Sequence, residues 1–373
     1  MKGTVLLSAG EASGDAVGAH LLREMRSLGF TGEAFAVGST HLKAARARML
    51  CDSSKWGALG IYQSLKVAPR VYADFRKIKA WMKSHRPDLV IGIDFGYLNI
   101  RLLKLAKRSG ARTLYYMPPG SWRKNKQGKD LPKVADKIAT PFEWSAKILR
   151  EMGADVEWVG HPIVQMAGEP FPGPRQGVAV LPGSRTHEVR NNLPAIAEAL
   201  EPIAESVGPI RIALAPTVEG QSVLKLWQRT TDVPIELRAG PAIETLKQCH
   251  AAIVCSGTAT LEAAVARTPM VIVYRGDKIM ELEYRIRRPK FQYIGLPSIL
   301  LERKVCPELI QWEATPERIG EEIRKLVGDT PERNAQLHAF DELQAVLGPR
   351  DSLTRTAEIA LSCLAGTMES SGV

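Results

Sequence analysis

The stretch Ala251–Tyr274, AAIVCSGTATLEAAVARTPMVIVY, decides how the rest of this chain is read. Ala251 to Cys255 is a short apolar run that predicts a buried parallel strand, and Ser256-Gly257-Thr258 turns it into a helix over Ala259 to Arg267. Pro269 ends the helix, and Met270 to Tyr274 is a second β-branched run suited to a sheet covered on both faces. The unit is a βαβ crossover. In such units ligands sit beyond the carboxyl ends of the strands, where small residues let free helix N–H groups approach an anion. The hydroxyls of Ser256, Thr258 and Thr260 add donors there, and Glu262, one turn into the helix, can accept hydrogen bonds from sugar hydroxyls. A diphosphate flanked by a ribose would satisfy all of these groups, Gly257 giving the backbone room. An ordinary strand-to-helix junction, with an N-capping hydroxyl and a first-turn glutamate complementing the helix dipole, would use the same residues.

Upstream, Val178 to Leu181 predicts another strand, followed by Pro182-Gly183-Ser184-Arg185 and a helix from about Val189. This turn too is shaped for phosphate, with Ser184 at its tip and Arg185 available to pair the oxygens. Strands at 210–214 and 235–238 lie between the two turns. Helices at roughly 316–326, 331–347 and 352–364 follow them.

The first half repeats the scheme. Thr4 to Ser8 reads as a buried strand running into Ala9-Gly10-Glu11-Ala12-Ser13-Gly14-Asp15 and a helix over Val17 to Leu28. A turn made only for anions would avoid the two carboxylates. Glu11 and Asp15 therefore point to contacts with hydroxyls, to acid/base chemistry, or, for Asp15, to helix capping. The strand Asp88 to Ile93 ends at Asp94, which places that carboxylate at the same sheet edge as Glu11. Further strands are expected at 34–38, 111–116, 137–140 and 156–159. Pro69 is read as opening a helix with Val71, Phe75, Ile78 and Met82 on one face. Gly60 to Ala68 is the better candidate for touching a membrane, and Met280 to Lys290 is a second basic segment.

Length and composition agree with two soluble domains. The chain has 373 residues, 45% hydrophobic and 24% charged, and no apolar run near the roughly 20 residues needed to span a bilayer. Glu11 and Asp15 follow the first strand too closely for a signal peptide, so a cytoplasmic protein is expected. Five scattered cysteines (51, 249, 255, 306, 363) show no CxxC spacing and indicate neither a disulfide framework nor zinc. Residues 1–160 hold 27 Lys and Arg against 14 Asp and Glu, while the remainder holds 23 against 26. Such a field suits an anionic membrane surface or phosphorylated substrates. Nucleic acid is not expected, since the basic half lacks the interleaved aromatics of an RNA module.

The fold class expected is α/β, two Rossmann-like doubly wound domains facing a cleft in the GT-B manner. Residues 1–168 would form the N-terminal domain, facing the membrane, and 169–345 the C-terminal domain. Residues 346–365 would form a helix packing back on the first domain, and 366–373 a disordered tail.

The motifs are more specific than the architecture. AGEASGD (9–15), GID (92–94), PFE (141–143), GHP (160–162), LPGSR (181–185), SGTATLE (256–262), PMVIVY (269–274) and GLP (295–297) occur in this order, and together they resemble the lipid A disaccharide synthase family over about residues 3–355. The resemblance implies inverting transfer of 2,3-diacylglucosamine from UDP to 2,3-diacylglucosamine 1-phosphate, with release of UDP and no cofactor. It places Glu262 on the ribose, Ser256, Gly257, Thr258 and Thr260 around the diphosphate, and Arg185 against the charge of the leaving UDP. The lack of a DxD-type acidic pair agrees, because helix amides and an arginine can replace a metal. Asp94 and Glu11 become the candidate bases. Ser13, Asp15, Asn99, His161, Ser184, Tyr274 and Ser298 become further substrate contacts. The protein would sit peripherally on the inner face of the cell membrane as a monomer or homodimer.

Three departures fall on the acceptor side. Where the family continues GID with Ala-Pro-Asp-Phe-Asn, this chain has Phe95-Gly96-Tyr97-Leu98-Asn99, so Tyr97 replaces a second carboxylate. The family's Ser-Pro-Ser-Val-Trp-Ala-Trp-Arg is shortened to Pro118-Pro119-Gly120-Ser121-Trp122-Arg123, and Ser298 stands where Asn is expected. These changes leave open a related UDP-sugar transferase with another acceptor, or an inactive UDP-sugar or lipid-binding paralogue.

Overall fold

The computed structural model describes residues 1–54, 56, 61–121, 123–124, 128–276 and 293–370, with the backbone alone at 61–67 and 367–370. The chain divides into two units: Met1–Met166 with Leu347–Val373, and Ala167–Val346. Each unit is built on one sheet.

In the first unit seven strands lie in the order β3-β2-β1-β4-β5-β6-β7. They are β1 Thr4–Ala9, β2 Glu33–Gly38, β3 Arg48–Asp52, β4 Leu89–Ile93, β5 Arg112–Tyr116, β6 Lys137–Thr140 and β7 Val156–Trp158. All pairings are parallel, with Leu7 opposite Ile91 and Ala9 opposite Ile93. Strand order reverses between β1 and β4, which makes their carboxyl ends the crevice where a doubly wound sheet takes a ligand. Val5, Leu7, Leu89 and Ile91 are wholly buried, as the continuous apolar runs require.

The last helix, Ser352–Ser370, closes one face of this sheet. Leu353, Ala357, Ala360 and Leu364 enter the same core as Leu7 and Ile91. Ser352 Oγ lies 2.8 Å from the Tyr116 hydroxyl and donates to Gly160 O at 2.6 Å, so a polar seam fixes the helix in register.

The second unit has six parallel strands in the order β10-β9-β8-β11-β12-β13. They are β8 Val178–Leu181, β9 Ile210–Leu214, β10 Ile235–Ala239, β11 Ala251–Cys255, β12 Met270–Tyr274 and β13 Glu308–Ile310. Order reverses here between β8 and β11. Val254 lies opposite Leu181, so the turns that follow these two strands are neighbours.

Several sequence expectations need correction. The first helix spans Ala12–Ser27, five residues earlier than its apolar periodicity suggests, with buried Gly14 in its first turn. Pro69 lies inside the helix Ile61–His85 instead of opening it, at the loss of one backbone bond. Residues 366–370 continue the last helix, since propagation adds a bond for each residue fixed once a nucleus exists; 371–373 lie outside the described residues. The edge strands β3 and β13 were not expected from the sequence, although the edge strands β7 and β10 were. The side chains of the Gly60 to Val67 stretch, Trp122 and the basic segment from Met280 to Lys290 also fall outside the described residues. No helix among the described residues is long and apolar enough to cross a membrane. All five cysteines are buried thiols outside any disulfide.

Candidate functional site

At the switch point of the first unit, β4 ends in two successive non-glycine residues with left-handed backbone, Asp94 (φ 47°) and Phe95 (φ 42°). Such residues persist only where their surroundings hold them, and they gather at functional sites. The restraints are specific. The Asp94 N–H donates to Tyr116 O at 3.0 Å, and Asp94 O accepts from the Tyr115 hydroxyl at 3.0 Å. The buried Asn99 amide donates to Ser8 O, Ile93 O and Asp94 O at 3.1, 3.0 and 2.9 Å, tying the ends of β1 and β4 together. The Asn99 amide nitrogen is therefore committed to the backbone beneath the turn.

Burial raises the Asp94 carboxyl from 3.8 to about 6, and the negative charge of Glu11 adds to the effect against the opposing Phe95 N–H. Glu11 is exposed at the end of β1, with half-buried Ser13 beside it. Structure thus gathers Glu11, Ser13 and Asp94 at the carboxyl edge of one switch point. Asp15 is withdrawn from this group. It is wholly buried, and its carboxylate accepts the N–H groups of Ser39, His41 and Leu42 at 2.7, 2.8 and 3.3 Å, capping a neighbouring helix instead of its own. Tyr97 stands exposed with the Arg101 guanidinium 4.5 Å from its ring centre. His161, at the end of β7, is buried against Phe142, and burial pushes its imidazole down to about 3, so it is neutral. Its Nδ1 accepts the Ile163 N–H at 3.2 Å.

In the second unit the two turns differ from one another. At the turn after β8, Glu188 Oε2 accepts the N–H groups of Ser184 and Arg185 at 2.8 and 3.1 Å, and Oε1 takes the Arg185 guanidinium at 2.9 Å. A carboxylate of the chain itself fills the place expected for phosphate, and Arg185 is paired. The turn after β11 is open. Gly257 has φ 148°, which a side chain would resist, and a Cβ there would meet nothing within 4 Å. The N–H groups of Gly257 and Thr258 donate to nothing among the described residues, and Thr258 is exposed.

The remaining hydroxyls brace this turn. Ser256 Oγ donates to Ile294 O at 2.9 Å, and Thr260 Oγ1 donates to Gly257 O at 2.8 Å while accepting the Leu296 N–H at 3.2 Å. Buried Ser298 accepts the Val305 N–H at 3.2 Å, which assigns it to the loop fold and not to the crevice. Glu262 is half-buried, no hydrogen bond holds its carboxylate among the described residues, and burial raises its carboxyl. Tyr274 is half-buried at the end of β12.

Sequence reasoning missed Asn192 and Glu308. The Asn192 amide donates to Pro182 O and Cys255 Sγ, and its Oδ1 accepts the Arg275 N–H, joining the ends of β8, β11 and β12. Glu308 accepts the N–H groups of Ile294 and Gly295 at 2.6 and 3.2 Å. The available signal was a polar residue set on the apolar stripe of the helix Thr186–Leu200.

Two doubly wound parallel sheets, each with its turns at a switch point, give the chain the GT-B type of fold. The solved structure of Arabidopsis thaliana UGT89C1 complexed with UDP aligns with TM-score 0.63 and 13% identity, over 97% of this chain and all of that one. The model of the Lipid-A-disaccharide synthetase family matches residues 5–359. Lipid-A-disaccharide synthases of Trichlorobacter lovleyi and Myxococcus xanthus are each 32% identical to it, over 96% of this chain and 97% of theirs. The chain belongs to the lipid-A-disaccharide synthetase family and is a hexosyltransferase of lipid A biosynthesis.

Proposed function

We propose that the protein transfers 2,3-diacylglucosamine from UDP to 2,3-diacylglucosamine 1-phosphate with inversion, and that Asp94 is the base. The observation that carries this reading is the Asp94 carboxyl: held in a strained turn at the switch point and raised to about 6, it is ionised at neutral pH yet basic enough to accept a proton. As the acceptor hydroxyl oxygen bonds to the anomeric carbon, Asp94 takes its proton and UDP leaves with the electron pair of the broken bond. Glu11 keeps the local potential negative and can orient acceptor hydroxyls together with Ser13.

The second unit takes the UDP end. The Gly257 and Thr258 amides meet the diphosphate, Glu262 the ribose, and Arg185 shifts from Glu188 to the leaving group as charge develops there. No metal is needed in this scheme. The basic residues of the first 160 suit a phosphorylated, acylated acceptor at the anionic inner face of the cell membrane, where the protein would bind peripherally.

Purified protein incubated with the diacyl donor is expected to release UDP only when the phosphorylated acceptor is added, and Asp94→Asn to abolish that release. Absence of release with both lipids present would overturn the reading. Exposed Tyr97, with Arg101 on its ring where the family carries a carboxylate, favours one alternative, transfer from the same donor to a different acceptor. A panel of acyl-glucosamine acceptors separates the two.

A further inference from the structure

Two stacked aromatic rings lie at the turn that carries the carboxyl just assigned. Phe95 follows Asp94 in the left-handed turn, and its ring lies so close over Gly10 that a Cβ on that residue would come within 2.1 Å of it. Gly10 is the residue before Glu11. The Phe95 ring also stacks on Trp56, with centroids 6.1 Å apart and planes at 29°. Trp56 is buried, and its indole N–H donates to Asp74 Oδ2 at 3.1 Å, on the helix Ile61–His85. The rings thus connect three elements: the turn after β1, the turn after β4 and this helix.

Backbone hydrogen bonds hold Asp94, and Phe95 O accepts the Asn99 N–H at 3.2 Å while the Phe95 N–H meets the Asp94 carboxylate; the packed Phe95 ring adds to these in opposing a relaxation out of the left-handed region. We propose that Phe95 and Trp56 are positioning residues for Asp94: the stacked pair clamps the left-handed turn against Gly10 and shields the carboxyl from water. The inference rests on Asp94 being the base. Phe95 stands where the family pattern has Ala, so the clamp is a feature of this chain. The titratable groups facing Asp94 are Glu11 from the turn after β1 and the Tyr115 hydroxyl from β5. Asp74 meets Trp56 and Lys77, and Arg101 meets Tyr97.

The test titrates the Asp94 carboxyl by ¹³C NMR of aspartate-labelled protein, assigned with Asp94→Asn, beside kcat and KM as functions of pH. In Phe95→Ala and Trp56→Ala the Asp94 midpoint should fall from about 6 by roughly one pH unit, as water reaches the carboxyl. The acid limb of kcat should move with it. At pH 7 kcat should drop roughly tenfold or more while KM stays within about twofold, as expected for a misplaced base. Trp56→Phe keeps a ring in the stack and should restore both readouts. The double variant should be no worse than the worse single one, because both act through one contact.

An Asp94 midpoint unmoved in both alanine variants would overturn the clamp, as would additive losses in the double. If Phe95→Ala does not fold, Trp56→Ala and Phe95→Leu carry the same comparison. The carboxyl titration needs no substrate. A moved midpoint in a protein without turnover would therefore sustain the clamp and sink Asp94 as base, whereas turnover with an unmoved midpoint would do the reverse.

Discussion

The two switch points use one scaffold for opposite chemistry. Beyond β4 the backbone is forced left-handed at Asp94 and Phe95, both of which carry side chains, and a carboxyl is held away from water next to another. Beyond β11 the only residue of the turn with positive φ is Gly257, so the backbone is relaxed and its amides face outward. In each unit one wholly buried asparagine, Asn99 or Asn192, ties the strand ends together. On the proposed roles, strain is retained where a proton would move and absent where an anion need only be held.

The sharpest way to break this comparison is Asp94→Asn, which should lower kcat by about 10²–10⁴-fold in the UDP-release assay. Loss of similar size from Glu262→Gln, with Asp94→Asn nearly silent, would reverse the roles of the two units.

Next in size are the knots. Asn99→Ala and Asn192→Ala should each destabilise by about 1–3 kcal/mol, because buried carbonyls or an amide lose their partner. Denaturant unfolding checks the total. Asn99→Ala should in addition depress kcat, and Asn192→Ala should weaken UDP binding, if each knot serves its own switch point.

Glu262→Gln should weaken UDP binding by roughly tenfold, equivalent to about 1.4 kcal/mol, since a neutral amide accepts less strongly from ribose hydroxyls. Calorimetry reads this directly. An unchanged Kd would remove Glu262 from the nucleotide site.

The smallest effect is a pH dependence of stability. Because the folded Asp94 carboxyl lies at about 6 and its ordinary value is 3.8, the folded state binds its proton more tightly than the unfolded state. Its stabilising contribution is complete below about pH 4 and is lost as pH rises through 6. Asp94→Asn should therefore match the wild type near pH 4 and be more stable at pH 7 by about 1 kcal/mol, discounted for partial exposure. Equal stability at both pH values would show the carboxyl to be unperturbed.

Much of this was legible in the sequence. Continuous apolar runs such as LVIGI and AAIVC mark strands covered on both faces, and the small-residue turns after them locate both switch points. Glu11, Asp94, Gly257 and Glu262 could be placed from that register alone. What could not be read was where carboxylates turn inward. Asp15 and Glu188 each sit in a turn that looks ready for a ligand, yet each accepts backbone amides of its own chain. Local sequence does not distinguish an anion site from one already filled by a neighbouring side chain. The aromatic clamp was hidden for a related reason, since Trp56 and Phe95 meet only through the folded sheet.

The most direct trial of the division between the two units is a calorimetric titration of UDP into the wild type and Asp94→Asn, paired with their turnover. The account predicts the same Kd for both proteins and UDP release in the wild type alone. A Kd that changes tenfold on Asp94→Asn, or release that survives it, would contradict the assignment of proton transfer and nucleotide binding to separate switch points.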